Sequence, residues 1–552
     1  MPSWVERIAA RFAFLHARRV YGRFQRALRD VQASQRQALR SALTVVQGSD
    51  FARRYSLASV HTLDDLRKAV PLLTYEDTRP YVDRLRDGDT TALLSPRQRV
   101  LMFATSSGTT AQPKYIPVTV PFAHDYRRGW NTFGLKLLVD HPQAVLRPIL
   151  QCSGRHDERR TPKGVPCGAI TGLMARTQKR IVRRFYVGRP EIAEIADARA
   201  RYYTLMRFGV VRDVAFAVTA NPATLIRLAA VANEESETLL RDVRDGSLDR
   251  GIVDEEPLRR RLEAGLRPEP QRARELAALR KRCGRLRPAD YWKLEFVACW
   301  TGGSMSHFLD PLADWYGRVP VRDVGLLASE GRVTIPLEDN SPTGVLDVSA
   351  ACFEFISGES AEQLQPQTLS ATELETGCDY AVVLTNTAGL IRYRLDDVVR
   401  VRGWVGQVPV LEFLHRAGRV SSVVGEKLTE NQVAAAVQKA CHELGIGALD
   451  FVVAPQWADP PFYRMNCTPC DAQALSRAVD AALCEQNDEY RSRRKSGRLG
   501  CLCVRTLDRT CLAALDTTLM VSRGGSPEQY KRPGLLTGLG EDDTLLACTR
   551  QI

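Results

Sequence analysis

Ten consecutive residues, Thr105-Ser106-Ser107-Gly108-Thr109-Thr110-Ala111-Gln112-Pro113-Lys114, follow the apolar run 100–104 and gather hydroxyls, a glycine and a lysine in one loop. Hydroxyls and free backbone N–H groups donate to phosphate oxygens, Gly108 lets the backbone come close, and Lys114 adds a positive charge. A solvated turn after a strand would have the same composition. The Gly-x4-Gly-Lys-Ser/Thr spacing is absent, so a Walker-type phosphate loop is excluded.

Three more segments carry groups suited to anion chemistry. In Leu326-Leu327-Ala328-Ser329-Glu330-Gly331 a carboxylate stands at the end of an apolar run, where it could hold Mg²⁺ or cap a helix. Tyr393-Arg394-Leu395-Asp396-Asp397-Val398-Val399 places carboxylates in a strand, where one could accept both hydroxyls of a ribose or simply face solvent. Ser526-Pro527-Glu528-Gln529-Tyr530-Lys531-Arg532-Pro533 presents Lys531 near the C-terminus, in an exposed turn unless the region around it closes on the rest of the chain.

Other motifs point less far. Cys467-Thr468-Pro469-Cys470 has the spacing of a zinc or redox pair, but no second pair stands at metal-site distance. His156-Asp157-Glu158 reads as a polar loop, since adjacent residues seldom converge on one ion. Gly302-Gly303-Ser304-Met305-Ser306 has Ser where a nucleophile elbow needs Gly, which argues against a serine hydrolase.

The elements that position these groups can be read coarsely. A chain of 552 residues exceeds what one core usually organises, so a large and a smaller domain are expected. Residues 1–95 read as mainly helical, with breaks at Pro71 and Pro80. Between 100 and 425 short valine-rich runs (144–149, 214–218, 294–300, 381–384, 410–414) alternate with helical stretches, the pattern of an α/β domain. Asn221-Pro222 supplies a helix cap and a first-turn proline. The Arg- and Glu-dense stretch 234–282 reads as a solvated helical insertion. After Gly425 the pattern restarts: helix 432–444, strand 451–453, helix 472–490, a strand near 501–504 and a final helix. This predicts a large domain over 1–425 and an α+β cap over 426–552, joined by a hinge at 418–427.

Composition narrows the class. With 44% hydrophobic and 26% charged residues the chain is an ordinary globular one. Its 77 Lys and Arg exceed its 64 Asp and Glu, a net charge of +13 that attracts anions. The arginines are dispersed and aromatics few, so no nucleic-acid partner is expected. No signal-peptide core and no membrane span are visible, so a cytoplasmic protein without membrane insertion is expected, its 14 cysteines reduced. Trp4, Ile8, Phe12, Leu15 and Leu28 lie near helical spacing among arginines, which suits a helix packed on the body or one lying on a membrane surface.

Taken in order, these segments resemble the Gretchen Hagen three family of acyl acid amido synthetases, a branch of the acyl-adenylate-forming superfamily. The likeness spans nearly the whole chain. It also takes in Thr219-Ala220-Asn221-Pro222, Thr301-Gly302-Gly303-Ser304, Gly425-Glu426-Lys427 and Asn487-Asp488-Glu489-Tyr490. It implies an acyl-adenylate-forming α/β domain with a mobile cap, ATP and Mg²⁺ as cofactors, and two steps. A carboxylic acid and ATP give an acyl adenylate and pyrophosphate, and an amine then displaces AMP. By that resemblance Ser106, Ser107, Gly108, Thr109 and Thr110 hold the phosphates with Lys114 nearby, and Ser329 joins the nucleotide site. Glu330 lies near the α-phosphate and Mg²⁺, Asp397 takes the ribose hydroxyls, and Lys427 reaches the nucleotide from the hinge. Lys531, carried in by the cap, neutralises charge during adenylation.

Three positions depart from the pattern. Ala111 replaces a common Gly, Leu326 a tyrosine of the plant enzymes, and Asp396 a Gly. An acid:CoA ligase shares the first half-reaction, and a binding protein on the same fold shares the motifs without turnover. Tyr126, Trp130, Phe133 and the run 165–171 read as lining of an acid pocket or as ordinary core. The identity of the acid, the amine and the oligomeric state are not encoded in any motif.

Overall fold

The computed structural model describes residues 19–106, 114–360, 363, 365–416, 420–424, 426–523, 532–543 and 545. The first part is helical, with Val31–Val46, Asp50–Arg54, Leu63–Ala69 and Tyr75–Arg86 each started by a side-chain cap. Thr62 and Asp65, and again Thr74 and Asp77, form capping boxes that satisfy the first free N–H groups. Pro80 is not the expected break. The Tyr75–Arg86 helix runs through it, because Tyr75, Thr78, Val82 and Leu85 bury one face and outweigh the hydrogen bond that proline cannot donate. Trp4, Ile8, Phe12 and Leu15 lie outside the described residues, while Phe24 and Leu28 are buried in the main core.

Two sheets support the candidate site. The larger has seven antiparallel strands in the order Thr334–Ile335, Thr343–Leu346, Val408–Arg416, Tyr393–Val405, Asp379–Thr385, Cys352–Ser357, Thr368–Leu369. The other is a four-stranded sheet in which Val100–Ser106 pairs antiparallel with Lys114–Thr119 and parallel with Pro166–Gly168. Val118, Met102, Phe122, Phe353 and Tyr393 fill one continuous apolar core with side chains from both sheets.

The βα alternation read from the sequence is confined to a third sheet of four parallel strands, Ile149–Gln151, Phe216–Val218, Phe296–Ala298 and Val321–Arg322. Its helix junction at Asn221 is as expected. The Asn221 side chain accepts from the Ala223 N–H at 2.9 Å and Pro222 opens the Pro222–Glu234 helix. The 144–149 run is a strand only from Ile149, since 142–144 forms a 3₁₀ turn. Stretch 234–282 is helical with a solvated, charged face, as expected, and it also has an apolar face that is covered. Leu239, Val243, Leu258, Leu262 and Leu276 of its helices are buried against the parallel sheet.

Beyond residue 426 the Glu430–Glu443 and Ala472–Gln486 helices pack with the strands Phe451–Gln456, Phe462–Cys467 and Cys503–Thr506 on a core of their own. The expected 472–490 helix is two. Asn487 ends the first and its side chain accepts from the Tyr490 N–H to start Asp488–Lys495. The Phe462–Cys467 strand was not singled out in the sequence, although Tyr463, Met465 and Cys467 alternate with Arg464 and Asn466 at strand period. Among the described residues no helix is long and apolar enough to cross a membrane.

Candidate active site

Ser106 faces Lys114 in the hairpin register, so the hydroxyl-rich loop joins two adjacent strand ends. Ser107, Gly108, Thr109 and Thr110 lie outside the described residues, as do Ala111 and the Ser106 side chain. Lys114 marks where the loop returns. Its Nζ donates to the Tyr393 hydroxyl at 3.5 Å and sits 5.6 Å from the Tyr75 ring centre, which ties it to the strand that carries Asp397. The Tyr75 hydroxyl accepts from the Tyr115 N–H at 2.7 Å, and burial pushes its pKa up to about 12. It therefore stays neutral beside Lys114 at physiological pH.

Ser329 and Glu330 form a tight turn between the short strands Leu327–Ala328 and Gly331–Arg332, neither a helix cap nor a strand end in the larger sheets. The Ser329 hydroxyl donates to the Thr105 carbonyl at 3.4 Å, which sets this turn against the last strand residues before the loop. Glu330 is 2% exposed, and its Oε1 has no hydrogen-bond partner among the described residues. A buried, unpartnered carboxylate oxygen is costly for folding alone and suited to a cation or a donor brought by a ligand. Asn386 holds the turn from below, its Nδ2 donating to the Glu330 carbonyl at 2.6 Å.

Asp397 is buried and stands at a bulge. It pairs with Arg416, Val398 with His415, but Val399 with Phe413, so the register shifts beside it. Asp396 creates the bend, with φ of 61° in the left-handed region that glycine enters freely. Its carboxylate lies 3.6 Å from Arg394 Nε, a local pairing that a glycine would lack. Leu326, the other described departure, is partly buried and packs against the main core.

Lys427 is exposed, also at positive φ (46°), and is braced by its neighbour. The Glu426 carboxylate accepts from the Val423 and Val424 N–H groups at 2.7 and 2.8 Å and from the Tyr463 hydroxyl. Asn487 Nδ2 donates to the carbonyls of Glu426 (3.0 Å) and Lys427 (3.4 Å). The start of the C-terminal part is thus fixed to that part's own strands and helices. Lys531 lies outside the described residues; the next residue, Arg532, pairs with Asp516 and Asp450.

Three residues that sequence reasoning did not single out complete the arrangement. Asp323 takes the Thr301 N–H and hydroxyl, both at 2.7 Å, and the Gly325 N–H at 2.6 Å. Burial raises its pKa, although these donors favour the charged form. It holds the Thr301-Gly302-Gly303 segment where Gly303 (φ 57°) meets the Leu414 carbonyl; a Cβ there would stand 2.9 Å from that oxygen. Arg332 is buried with its guanidinium 4.8 Å from the Trp130 ring and 5.8 Å from the Phe133 ring. Only Nη1 has partners among the described residues, the Val324 and Thr334 carbonyls at 2.9 and 3.1 Å. Asn386 carried one signal, its place in the turn-forming run Thr385-Asn386-Thr387-Ala388-Gly389. Asp323 and Arg332 carried none.

His156-Asp157-Glu158 is a polar loop in which Asp157 pairs with Arg155 at 3.0 Å. Among the described residues no group of three or more His, Cys, Asp or Glu is placed to hold a metal ion.

Family models match the chain in sequence along its length, the GH3 family N-terminal domain over residues 20–321, the central domain over 344–416 and the C-terminal domain over 431–538. The chain belongs to the GH3 family. It is similar to a jasmonoyl–L-amino acid synthetase of Oryza sativa subsp. japonica, 25% identical over 92% of this chain and 93% of the relative. A probable indole-3-acetic acid-amido synthetase of the same plant is 26% identical over 90% and 86%. The fold is that of the GH3.15 acyl acid amido synthetase, with a TM-score of 0.82 at 20% identity over 96% of this chain and 95% of that one. Within this GH3 chain the hydroxyl loop falls in the first matched segment and Asp397 in the second. Lys531 falls in the third, while Glu330 and Lys427 lie in the stretches between.

Proposed function

We propose that this GH3 chain is an ATP-dependent acyl-acid amido synthetase, which adenylates a carboxylic acid and transfers the acyl group to the amine of an amino acid. Membership of the family and the names of the curated relatives support the reaction class. The observation that carries the chemistry is Glu330, whose carboxylate is buried in a fixed turn with no partner for Oε1 among the described residues.

In this reading the loop 106–110 and Lys114 grip the triphosphate, and Ser329 ties the turn to Thr105, just before that loop in the chain. Asp397, turned inward by the bulge, accepts from the ribose hydroxyls, and Lys427 reaches the nucleotide from the hinge. The substrate carboxylate and the α-phosphate are both anionic, so their approach needs positive charge at the point of attack. Lys531 supplies it when the C-terminal part (426–552) closes on the larger part (1–425), and withdraws when the amine must enter. Mg²⁺, when bound, would offset the charge of the phosphates, and Glu330 Oε1 fits it as a hard oxygen donor with no partner among the described residues. Tyr126 and Phe133 are buried in the main core and Trp130 packs against it, so none of the three is assigned to the acid pocket, and the reaction is taken to run in the cytoplasm.

Mass spectrometry of products tests the reading. The full chain is incubated with ATP, Mg²⁺ and a panel of aromatic, fatty and jasmonate-like acids, with mixed amino acids in one arm and coenzyme A in the other. Amide, AMP and pyrophosphate in the amino acid arm are expected. Thioester only in the coenzyme A arm would make it an acid:CoA ligase, and bound ATP without pyrophosphate release a binding protein.

A further inference from the structure

Cys467 ends the Phe462–Cys467 strand, and Cys470 stands in the turn before the Ala472–Gln486 helix. Their Sγ atoms are 3.7 Å apart. Cys467 is fully buried and Cys470 half-buried, so the second thiol is the accessible one. The backbone around the pair is pinned. The Leu507 N–H donates to the Cys467 carbonyl at 2.7 Å, the Thr468 N–H to Asp450 at 3.0 Å, and Asp471 caps the following helix by accepting from Gln473 and Ala474 at 3.1 Å. A disulfide needs the sulfurs at about 2.05 Å, a gap that side-chain rotation can close without moving these anchors. Cys441, half-buried on the Glu430–Glu443 helix, lies close enough to the pair to interact with both thiols. No metal grouping of three or more ligands is formed here among the described residues.

We propose that Cys467 and Cys470 are a redox-active dithiol, closed to a disulfide by a low-molecular-weight disulfide such as glutathione disulfide and reopened by a thiol. The accessible Cys470 thiolate attacks one sulfur of glutathione disulfide, forming a mixed disulfide and releasing one glutathione thiolate. That thiolate takes the Cys467 proton. The Cys467 thiolate then attacks the Cys470 sulfur, and the second glutathione leaves as thiolate and takes the proton lost by Cys470. Two protein thiols are oxidised and one glutathione disulfide is reduced to two glutathiones. Burial pushes the Cys467 thiol up, which slows its ionisation, but the fixed distance makes the second step intramolecular.

The full chain is treated with glutathione disulfide, quenched in acid and mapped by peptide mass spectrometry, then reduced with dithiothreitol and mapped again. A Cys467–Cys470 cross-link that dithiothreitol removes is expected. Cys470→Ser should abolish it and leave Cys467 unmodified, while Cys467→Ser should hold a stable glutathione adduct on Cys470. Both thiols intact, a lasting adduct on Cys470 of the native chain, or a Cys441–Cys470 link would overturn the proposal. If Cys467→Ser does not fold, the native map and Cys470→Ser still decide.

Discussion

Asn386 Nδ2 donates to the Glu330 carbonyl at 2.6 Å, and both residues are about 2% exposed. The hydrogen bond joins the turn between two short strands to the end of Asp379–Thr385 in the large sheet. The turn that carries the carboxylate is therefore held by a side chain from another sheet as well as by its own strand pairing and the Ser329–Thr105 hydrogen bond.

Replacing Asn386 by Ala leaves the buried carbonyl without that donor, a loss of about 1–3 kcal/mol in unfolding free energy. Asn386→Asp should cost more, because an acceptor would then face an acceptor. Denaturant melts measure both, and acid-dependent ATP–pyrophosphate exchange should fall with them as the turn loosens.

Glu330→Gln separates function from stability. It keeps the shape of a side chain whose Oε1 has no partner among the described residues, so the variant should melt no lower than the native chain. Exchange should drop about 10²–10³-fold, the range seen when one group that stabilises transition-state charge is removed. A variant that is markedly destabilised but active would mean that Glu330 is structural.

Asp396 tests the bulge. At φ 61° an L-residue is strained by about 1–2 kcal/mol, less for Asp than for most. Asp396→Gly should stay within about 1 kcal/mol of native stability, whereas the β-branched Asp396→Val should lose roughly 2 kcal/mol. Equal melting of the two would show that the bulge relaxes.

How much of this was legible in the sequence follows from range. The Asn221-Pro222 cap, the strand carrying Asp397 and the apolar run before Glu330 depend on neighbours in the chain, and they were readable. The Asn386 amide and the Glu330 carbonyl are 56 residues apart, and nothing local says that they meet. Stretch 234–282 shows its solvated face in the sequence and hides its buried one for a related reason. Its charged residues suggest solvent, yet Arg259 is buried and donates to the Val253 carbonyl at 2.7 Å while the leucines beside it pack on the parallel sheet. Pro80 reads as a break in the sequence because the buried face that holds its helix together is set by packing.

Asp542 predicts a pH dependence in the segment that follows Lys531 in the chain. It is fully buried and accepts from Gln456 (3.0 Å), Asn466 (2.9 Å) and Arg464 (3.1 Å), pinning the segment after Lys531 to the sheet. Burial pushes its pKa up, but the hydrogen bonds from Arg464, Asn466 and Gln456 and the Arg464 charge outweigh it, and the value lies below the usual 3.8. A carboxylate lowered in this way contributes its full stability above 3.8 and loses it as pH falls through the depressed value. Asp542→Asn should cost roughly 1.5–3 kcal/mol at neutral pH, a difference that shrinks below pH 3.8. Chemical denaturation across that range checks it.

The central claim is adenylation with Lys531 delivered by the C-terminal part, and acid-dependent ATP–pyrophosphate exchange by the native chain and Lys531→Ala tests it most directly. The account predicts exchange with at least one acid of the panel, lost in Lys531→Ala while ATP still binds. Exchange that survives the substitution would contradict the role of Lys531, and ATP binding without exchange for any acid would contradict adenylation itself.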